Sequence, residues 1–360
     1  MSLRQRIMAL IEAQGPMSVA QFMTISLLDP KEGYYATRDP LGAGGDFTTA
    51  PEISQMFGEM IGLWLLQAWS DQGCPQHPRL VELGPGRGTL MADILRTAKV
   101  APEFLAELEV VLVEASPALQ QVQADKLRGC GADIAWQNQF DDSLTDRPLF
   151  LVANEFFDAL PVRQYVKTDR GWCERMVTVL NDELRFALAP VPTPPALVPP
   201  GRENAPDGGV CEASPASTAL AEEIARIIAA KGGAGLIIDY GYAEVTGFSE
   251  TLQAVSGHRF ADALAEPGED DLSAHVDFAA LAQAGRRCGA AVFGPLTQGA
   301  LLANIGIAER AEQLMKSNPE NAADLLSATE RLIGNDQMGK LFKALAFLPP
   351  AISDVAGFPG

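Results

Sequence analysis

The stretch RLVELGPGRGTLMADIL, residues 79–95, decides the fold. A short apolar run is followed by a glycine-rich loop and then by a helical apolar pattern, which predicts a strand, a tight turn and a helix. Glycines at 84, 86 and 88 let the backbone turn sharply and approach a ligand with no Cβ in the way. A dinucleotide site usually shows GxGxxG, but Thr89 stands where its third glycine would be. The loop therefore favours a nucleoside–amino-acid ligand over a pyrophosphate.

Strands and helices alternate outward from this stretch. Further strands are predicted at 108–116, 133–138, 149–156, 234–241 and 290–297, with a last short one at 344–349. Continuous apolar strands that alternate with helices are typical of a mostly parallel sheet covered on both faces. We therefore expect an α/β protein with a Rossmann-like sheet.

Three segments are predicted along the chain. Residues 1–75 form N-terminal helices and a loop, 76–300 form the Rossmann-like domain, and 301–360 form a C-terminal helical segment packed on the core. Between about 160 and 232 the alternation stops, and strand-like runs separated by turn signals predict an inserted β meander. Gly33 to Pro51 is glycine-rich and non-periodic, so we expect a long loop, and long loops inside compact domains tend to be functional.

Composition narrows the class of partner. The formal net charge of −19, with no cluster of Lys and Arg, argues against a nucleic-acid backbone and fits a small molecule or a basic protein. The five cysteines form no CxxC pair, which argues against a disulfide framework and against a metal site. No apolar run approaches the roughly 20 residues that span a bilayer, and no signal peptide begins the chain, so we expect a cytoplasmic protein without membrane insertion. Nothing indicates its oligomeric state.

A carboxylate follows the strand next to the glycine loop. Glu114 lies 30 residues beyond Gly84, at the end of the second strand, where an acid can accept hydrogen bonds from both ribose hydroxyls of a nucleoside. Glu82, at the end of the first strand, can accept from the ammonium of the ligand. Phe140 and Asp141 follow the third strand, where an adenine pocket usually forms, although an aromatic there can equally belong to the core. The loop and the acid together predict a site for S-adenosylmethionine (SAM).

Polar residues also end the fourth strand. Asn154 can donate to and accept from a ligand, and Glu155 and Asp158 are close enough along the chain for a turn to bring them together. Two carboxylates beside a methyl donor can hold a guanidinium, whose fork pairs with carboxylate. Alternatively, Asp158 caps a turn and Glu155 is solvated. Of the scattered histidines, His275 is the catalytic candidate because it follows an acidic loop.

Several segments resemble the MidA-type family of SAM-dependent methyltransferases. They are GYY (33–35), GDFTTAPEISQMFGE (45–59), VELGPGRGTL (81–90), VEASP (113–117), NEFFDALP (154–161) and HVDF (275–278). The resemblance implies a class I methyltransferase fold and a protein-arginine methyltransferase. It also implies that the substrate is a protein such as a core subunit of respiratory complex I, with symmetric dimethylarginine as the product.

Carried over onto this chain, the resemblance implies a set of site residues. Gly84, Gly86 and Gly88 match the SAM loop, Glu114 matches the ribose acid, and Asn154 and Glu155 match the motif at the end of the fourth strand. From their positions beside these, Glu82, Pro85, Ala115 and Phe140 are further expected cofactor contacts. The block from Asp46 to Glu59 matches a segment that folds over the SAM site, and there Thr49, Pro51, Glu52 and Gln55 are candidates for cofactor or acceptor contact. Helix capping and core packing are the other explanation for that block. Without a transit segment the chain resembles a bacterial member, whereas the eukaryotic relatives belong in the mitochondrial matrix.

Three other functions stay open on the sequence. A methyltransferase for small molecules would use the same cofactor site. An assembly factor could bind a client protein and use SAM only structurally. A nicotinamide-dependent dehydrogenase is disfavoured by Thr89.

Overall fold

The computed structural model of the 360-residue chain describes residues 1–37, 49–244, 247–257 and 259–359. The expected loop from Gly33 to Pro51 is interrupted at both ends, because Tyr34–Thr37 is a helical turn and a helix begins at Ala50. The first part of the block that starts at Asp46 lies outside the described residues, as does His258.

The β-strands number sixteen in the described part of the chain. They are β1 (Met17–Ser18), β2 (Arg79–Leu83), β3 (Glu109–Val113), β4 (Asp133–Gln137), β5 (Leu149–Asn154), β6 (Arg163–Thr168), β7 (Gly171–Leu180), β8 (Glu183–Leu188), β9 (Val210–Ala213), β10 (Gly233–Tyr242), β11 (Gln253–Ser256), β12 (Arg259–Ala261), β13 (Asp271–Ser273), β14 (Val276–Asp277), β15 (Ala291–Thr297) and β16 (Phe342–Leu348).

The α-helices within the same ranges number fourteen. They are α1 (Leu3–Gln14), α2 (Val19–Leu28), α3 (Tyr34–Thr37), α4 (Ala50–Ile53), α5 (Gln55–Asp71), α6 (Thr89–Ala98), α7 (Pro102–Ala106), α8 (Pro117–Lys126), α9 (Pro215–Lys231), α10 (Phe278–Arg287), α11 (Gln298–Asn304), α12 (Ile307–Ser317), α13 (Ala322–Ile333) and α14 (Met338–Leu341). None of these helices is both long enough and apolar enough to cross a bilayer.

The central sheet has the strand order β15–β16–β10–β5–β2–β3–β4, and the short β14 pairs with the end of β10. Strands β10, β5, β2, β3 and β4 run parallel, whereas β16 runs antiparallel to both of its neighbours. The carboxyl ends of the five parallel strands therefore meet at one edge, where ligands of open α/β sheets bind. The α/β fold predicted from the sequence is confirmed.

Two apolar layers cover this sheet. Helices α5 and α6 pack on one face, where Phe57 and Trp64 are fully buried in one apolar cluster with residues of β5 and β10. Helices α9 and α10 pack on the other face, where Ile228 and Phe278 are fully buried. Strands buried on both faces explain why the sequence shows continuous apolar runs instead of alternation.

The inserted meander forms a second sheet of order β1–β7–β6–β9, with β8 also paired to β7. Helices α1 and α2 pack on it through a separate apolar cluster that includes Ile7, Phe22 and Val177. Each of these helices begins with a capping box, Ser2 with Gln5 and Ser18 with Gln21.

The C-terminal residues complete the central sheet. The short strand predicted at 344–349 is β16, and it lies between β10 and β15 instead of at an edge. Residues 301–360 therefore supply a sheet strand as well as helices. The division of the chain into the three segments 1–75, 76–300 and 301–360 stays a prediction.

Candidate active site

The glycine-rich loop runs from the end of β2 to the first turn of α6. Gly84, Gly86 and Gly88 have positive φ angles of 62°, 53° and 78°, a region that residues with a Cβ rarely adopt. A Cβ on Gly84 would lie 2.8 Å from Cδ2 of Phe156. The buried Pro85 accepts a hydrogen bond from the backbone N–H of Gly88 at 2.7 Å. The glycines are therefore dictated by backbone conformation and, at Gly84, also by steric fit.

Parallel register places two polar side chains beside this loop. The last pairs of β2 join it to β3 on one side and to β5 on the other. Leu83 pairs with Val113 and with Ala153. The residues that follow these three are Gly84, Glu114 and Asn154, so they lie level at the carboxyl edge of the sheet. Neighbouring strands are about 4.8 Å apart. A ligand seated on the loop is therefore within reach of both side chains.

Glu82 is buried beneath the loop, with 3% of its surface exposed. Burial raises the pKa of its carboxyl to about 8, while a hydrogen bond from the backbone of Met91 acts in the opposite direction. Its Oε2 atom has no hydrogen-bond partner among the described residues. A buried polar atom of this kind is costly unless a ligand or water satisfies it.

A glutamine that the sequence analysis did not single out holds Glu114. The carboxylate of Glu114 accepts from the backbone N–H of Ser116 at 2.8 Å and from Nε2 of Gln123 at 3.3 Å, and burial raises its pKa. Gln123 is fully buried, donates to the carbonyl of Gly86 at 2.7 Å and accepts from Nε1 of Trp136 at 2.8 Å. The side-chain amide of Gln123 thus links the glycine loop, Glu114 and β4. The sequence signal for Gln123 is a polar residue on α8 that lies four positions, about one helical turn, after the buried Leu119.

The segment before α5 reaches the loop through Glu52. Its carboxylate accepts a hydrogen bond from the hydroxyl of Thr89, the first residue of α6. Thr49 is the N-cap of α4 without a side-chain hydrogen bond, Pro51 is buried, and Gln55 is exposed at the start of α5. The structure therefore brings Glu52 to the loop, and leaves Gln55 at the surface.

Glu155 and Asp158 lie on the turn that follows β5. Glu155 has φ of 52°, and its Oε1 accepts from the backbone N–H of Ala50 and from Nδ2 of Asn154, both at 3.1 Å. Burial raises the pKa of Glu155 to about 7, and the negative charge of Asp158 adds to the effect. Burial also raises the pKa of Asp158 to about 6. Oδ1 of Asn154 is buried without a partner in the described part of the chain.

Strand β10 contributes two residues to this turn that the sequence analysis did not single out. Asp239 is completely buried and accepts hydrogen bonds from the backbone N–H groups of residues 156–158. Tyr240 is 9% exposed, and its hydroxyl has no hydrogen-bond partner within the described ranges. Its ring lies edge-to-face with His275, at 5.4 Å between centroids. The sequence signal for Asp239 is an acidic residue within an otherwise apolar strand, IIDYG (237–241).

His275 packs against the ring of Tyr240, whose hydroxyl faces Asp158. Its backbone N–H donates to the hydroxyl of Thr251 at 2.9 Å, and burial lowers the pKa of its imidazole. It lines a cavity of about 360 Å³ together with Glu212 and Asp277. His77, in contrast, is exposed and distant in the chain from the turn.

Phe140 and Asp141 lie beyond β4, where the adenine pocket was expected. Phe140 is partly buried against the core layer beneath α9 and α10. Both residues line an open groove of about 600 Å³ that also includes Arg226 of α9. The position of Phe140 is therefore compatible with both expected roles, as a core residue and as a wall of the adenine pocket. Ala115, next to Glu114, is exposed.

Residues 60–296 match the family described as "Putative S-adenosyl-L-methionine-dependent methyltransferase". The chain belongs to this family. It is also 37% identical to the mitochondrial protein arginine methyltransferase NDUFAF7 of Danio rerio, with 97% of this chain and 87% of that protein covered. The human protein of the same name is 37% identical, with 96% and 83% covered.

A solved structure is similar to this chain over almost its whole length. A COG1565 superfamily member from Burkholderia thailandensis, crystallised with S-adenosylhomocysteine, superposes with a TM-score of 0.86 at 28% identity and covers 99% of this chain and 94% of its own. The methyltransferase is thus SAM-dependent, as the glycine loop and Glu114 had predicted.

Proposed function

We propose that this methyltransferase transfers a methyl group from SAM to an arginine side chain of a protein. The observation that carries the proposal is the pair of half-buried carboxylates, Glu155 and Asp158, on the turn beside the glycine loop at the carboxyl edge of the sheet. The names of the NDUFAF7 relatives support it. The net charge of −19 favours a basic protein as partner.

The residues around the loop fit SAM chemically. The Oε2 atom of Glu82 and the amide oxygen of Asn154 are buried and lack partners among the described residues, and the ammonium group of SAM is a donor. Glu114, held by Gln123, would accept hydrogen bonds from the ribose hydroxyls. Gly84, Pro85, Gly86 and Gly88 would carry the amino-acid part, with Ala115 and Phe140 toward the adenine. Thr49, Pro51, Glu52 and Gln55 would lie over the cofactor or the acceptor.

The acceptor would be held by the turn after β5. A guanidinium offers five N–H donors in a planar fork, and Glu155 and Asp158 together offer acceptors to match it. Bound SAM would supply an electrophilic methyl group. Transfer of that methyl to a guanidinium nitrogen leaves one excess proton, and the carboxylate of Glu155, whose pKa is about 7, is placed to take it.

His275 is placed to assist in a different way. Its ring packs on Tyr240 and its pKa is lowered, so it is neutral near pH 7 and adds no charge that would repel a cationic acceptor. We propose that it relays the proton outward through the cavity it lines. Its removal would then slow transfer without weakening SAM binding.

The finer parts of the proposal rest on resemblance. The product would be symmetric dimethylarginine, and the substrate a core subunit of respiratory complex I or a protein like it. The free cysteines of the described chain fit a reducing compartment, and we place the protein in the cytoplasm.

The test begins with binding and ends with the product. Titration calorimetry should show SAM and S-adenosylhomocysteine binding to the purified chain. Methyl-labelled SAM is then incubated with a lysate of cells that lack this protein, and labelled proteins are hydrolysed and analysed for methylarginines. Label in dimethylarginine supports the proposal. Label only in small molecules, or SAM binding without any transfer, would replace it with a small-molecule methyltransferase or an assembly factor.

A further inference from the structure

A single carboxylate organises the turn that carries Glu155 and Asp158. Oδ2 of Asp239 accepts from the backbone N–H groups of Phe156 at 3.1 Å, Phe157 at 2.9 Å and Asp158 at 3.1 Å. Its Oδ1 accepts from the backbone N–H of Tyr240 at 2.9 Å. Register explains this placement, because Ile238 of β10 pairs with Asn154 of β5, so that Asp239 lies level with Glu155.

We propose that Asp239 is the positioning residue of the acceptor site: it fixes the turn that presents Glu155 and Asp158 and adds a third negative charge that favours a guanidinium. The inference rests on the proposed arginine acceptor. Asp239 is completely buried and does not itself reach the crevice, so it acts through its neighbours.

The geometry requires a carboxylate and not an amide. Both oxygens of Asp239 face N–H donors, three on one side and one on the other. An asparagine has one acceptor oxygen, and whichever way it is turned its NH₂ group meets a donor. The turn also holds Glu155 at a φ of 52°, which a residue with a Cβ seldom adopts. Such a conformation persists only when its surroundings fix it.

Charge supports the same role. Three carboxyl groups meet at this turn. Burial and the charges of Asp158 and Glu155 raise the pKa of Asp239, whereas the backbone N–H groups of Asp158 and Tyr240 act in the opposite direction and favour the carboxylate. The other groups that face the cluster are the hydroxyl of Tyr240, the hydroxyl of Tyr35 near Asp158, and Arg331 of α13, which acts on Glu155. Arg331 is exposed, so the buried acids face no buried cation among the described groups that act on them. A bound guanidinium would supply the missing positive charge.

The experiment compares two substitutions with one control. Asp239→Asn removes the charge and one acceptor, whereas Asp239→Glu keeps the charge but moves it by one methylene. Asp29→Asn is the control, because Asp29 also accepts two backbone N–H groups in a turn but lies in the N-terminal helical region. The readouts are the dissociation constant for SAM, kcat/KM for methyl transfer, and its pH profile.

We expect Asp239→Asn to lower kcat/KM at least about tenfold, with SAM affinity within about threefold of the wild type. The acidic limb of its pH profile should move to lower pH, because a negative charge beside Glu155 and Asp158 is gone. Asp239→Glu should lose rate about as much but keep the wild-type acidic limb, and this remains decisive if Asp239→Asn does not fold. An unmoved limb in Asp239→Asn, or wild-type rates in Asp239→Glu, would overturn the proposal.

A second measurement separates this proposal from the proposed function. If the wild type transfers methyl to no arginine, NMR titration of ¹³C-labelled carboxyl groups still reports Glu155 and Asp158, identified with Glu155→Gln and Asp158→Asn. The titration midpoints of both groups should then be lower in Asp239→Asn and unchanged in Asp29→Asn. Equal midpoints in all three proteins would refute the role of Asp239 whatever the acceptor is.

Discussion

The two halves of the crevice are built in different ways. The proposed cofactor half is centred on a continuous loop, residues 82–88, whose conformation is set largely by its own glycines. The proposed acceptor half is assembled from separate parts of the chain, because the backbone N–H of Ala50 donates to Glu155 across 105 residues and Asp239 accepts from the turn after β5 across more than 80. Changes in the first half should therefore abolish cofactor binding, whereas changes in the second should spare it and slow transfer.

The largest effect is expected at Gly84. In Gly84→Ala the new Cβ would lie 2.8 Å from Phe156 while φ is 62°, so the loop must move and SAM affinity should fall at least about 100-fold. Gly129→Ala is the matched control, because Gly129 has a φ of 76° but no atom within 4 Å of the added Cβ. Calorimetry measures both. Comparable SAM affinities in the two variants would mean that the loop does not carry the cofactor.

This contrast also explains what could be predicted from the sequence. The glycine loop and Glu114 were predicted because a strand end, a turn and an acid at fixed spacing form a local pattern. Gln123 and Asp239 were not singled out, because only the register of parallel strands and the packing of α8 bring them to the site. For the same reason β16 was predicted only as a last short strand, and its position between β10 and β15 was not.

The next largest effect is expected at Glu155. In Glu155→Gln the amide oxygen can still accept from the backbone N–H of Ala50, so the turn should be kept. The lost charge–guanidinium hydrogen bond should lower kcat about 30-fold, with SAM affinity within about threefold. Glu103→Gln, in the first turn of α7, is the control. If Glu155→Gln lowered SAM affinity by as large a factor as it lowered kcat, the two halves of the crevice would not differ in function.

An intermediate effect is expected from pH. Glu155 titrates at about 7 and Asp158 at about 6 in the folded chain. If the ionised pair binds the acceptor, kcat/KM should rise about tenfold between pH 6 and pH 8, following the fraction of ionised Glu155. A flat profile measured at saturating SAM would contradict this assignment.

Stability should change in the opposite direction over a lower range of pH. Unfolded carboxyls ionise near pH 4, whereas these two keep their protons until about pH 6 to 7 when folded. The folded state therefore binds more protons in that interval, and the free energy of unfolding without ligand should fall as pH rises through it. Denaturant unfolding at several pH values measures the slope, which Glu155→Gln should reduce.

The smallest effect is expected at Tyr240, where a structural and a functional role predict different results. Its hydroxyl is buried and faces Asp158, but no hydrogen bond of ordinary geometry reaches it in the described chain, so Tyr240→Phe should stabilise the free protein, by about 1 kcal/mol. If the hydroxyl accepts a hydrogen bond from the bound guanidinium, KM for the acceptor should rise about threefold while kcat and SAM affinity stay constant. Thermal unfolding and steady-state kinetics measure the two quantities separately. A more stable variant with unchanged KM would assign Tyr240 to packing against His275 and Phe342 alone, and would confine acceptor recognition to the turn held by Asp239.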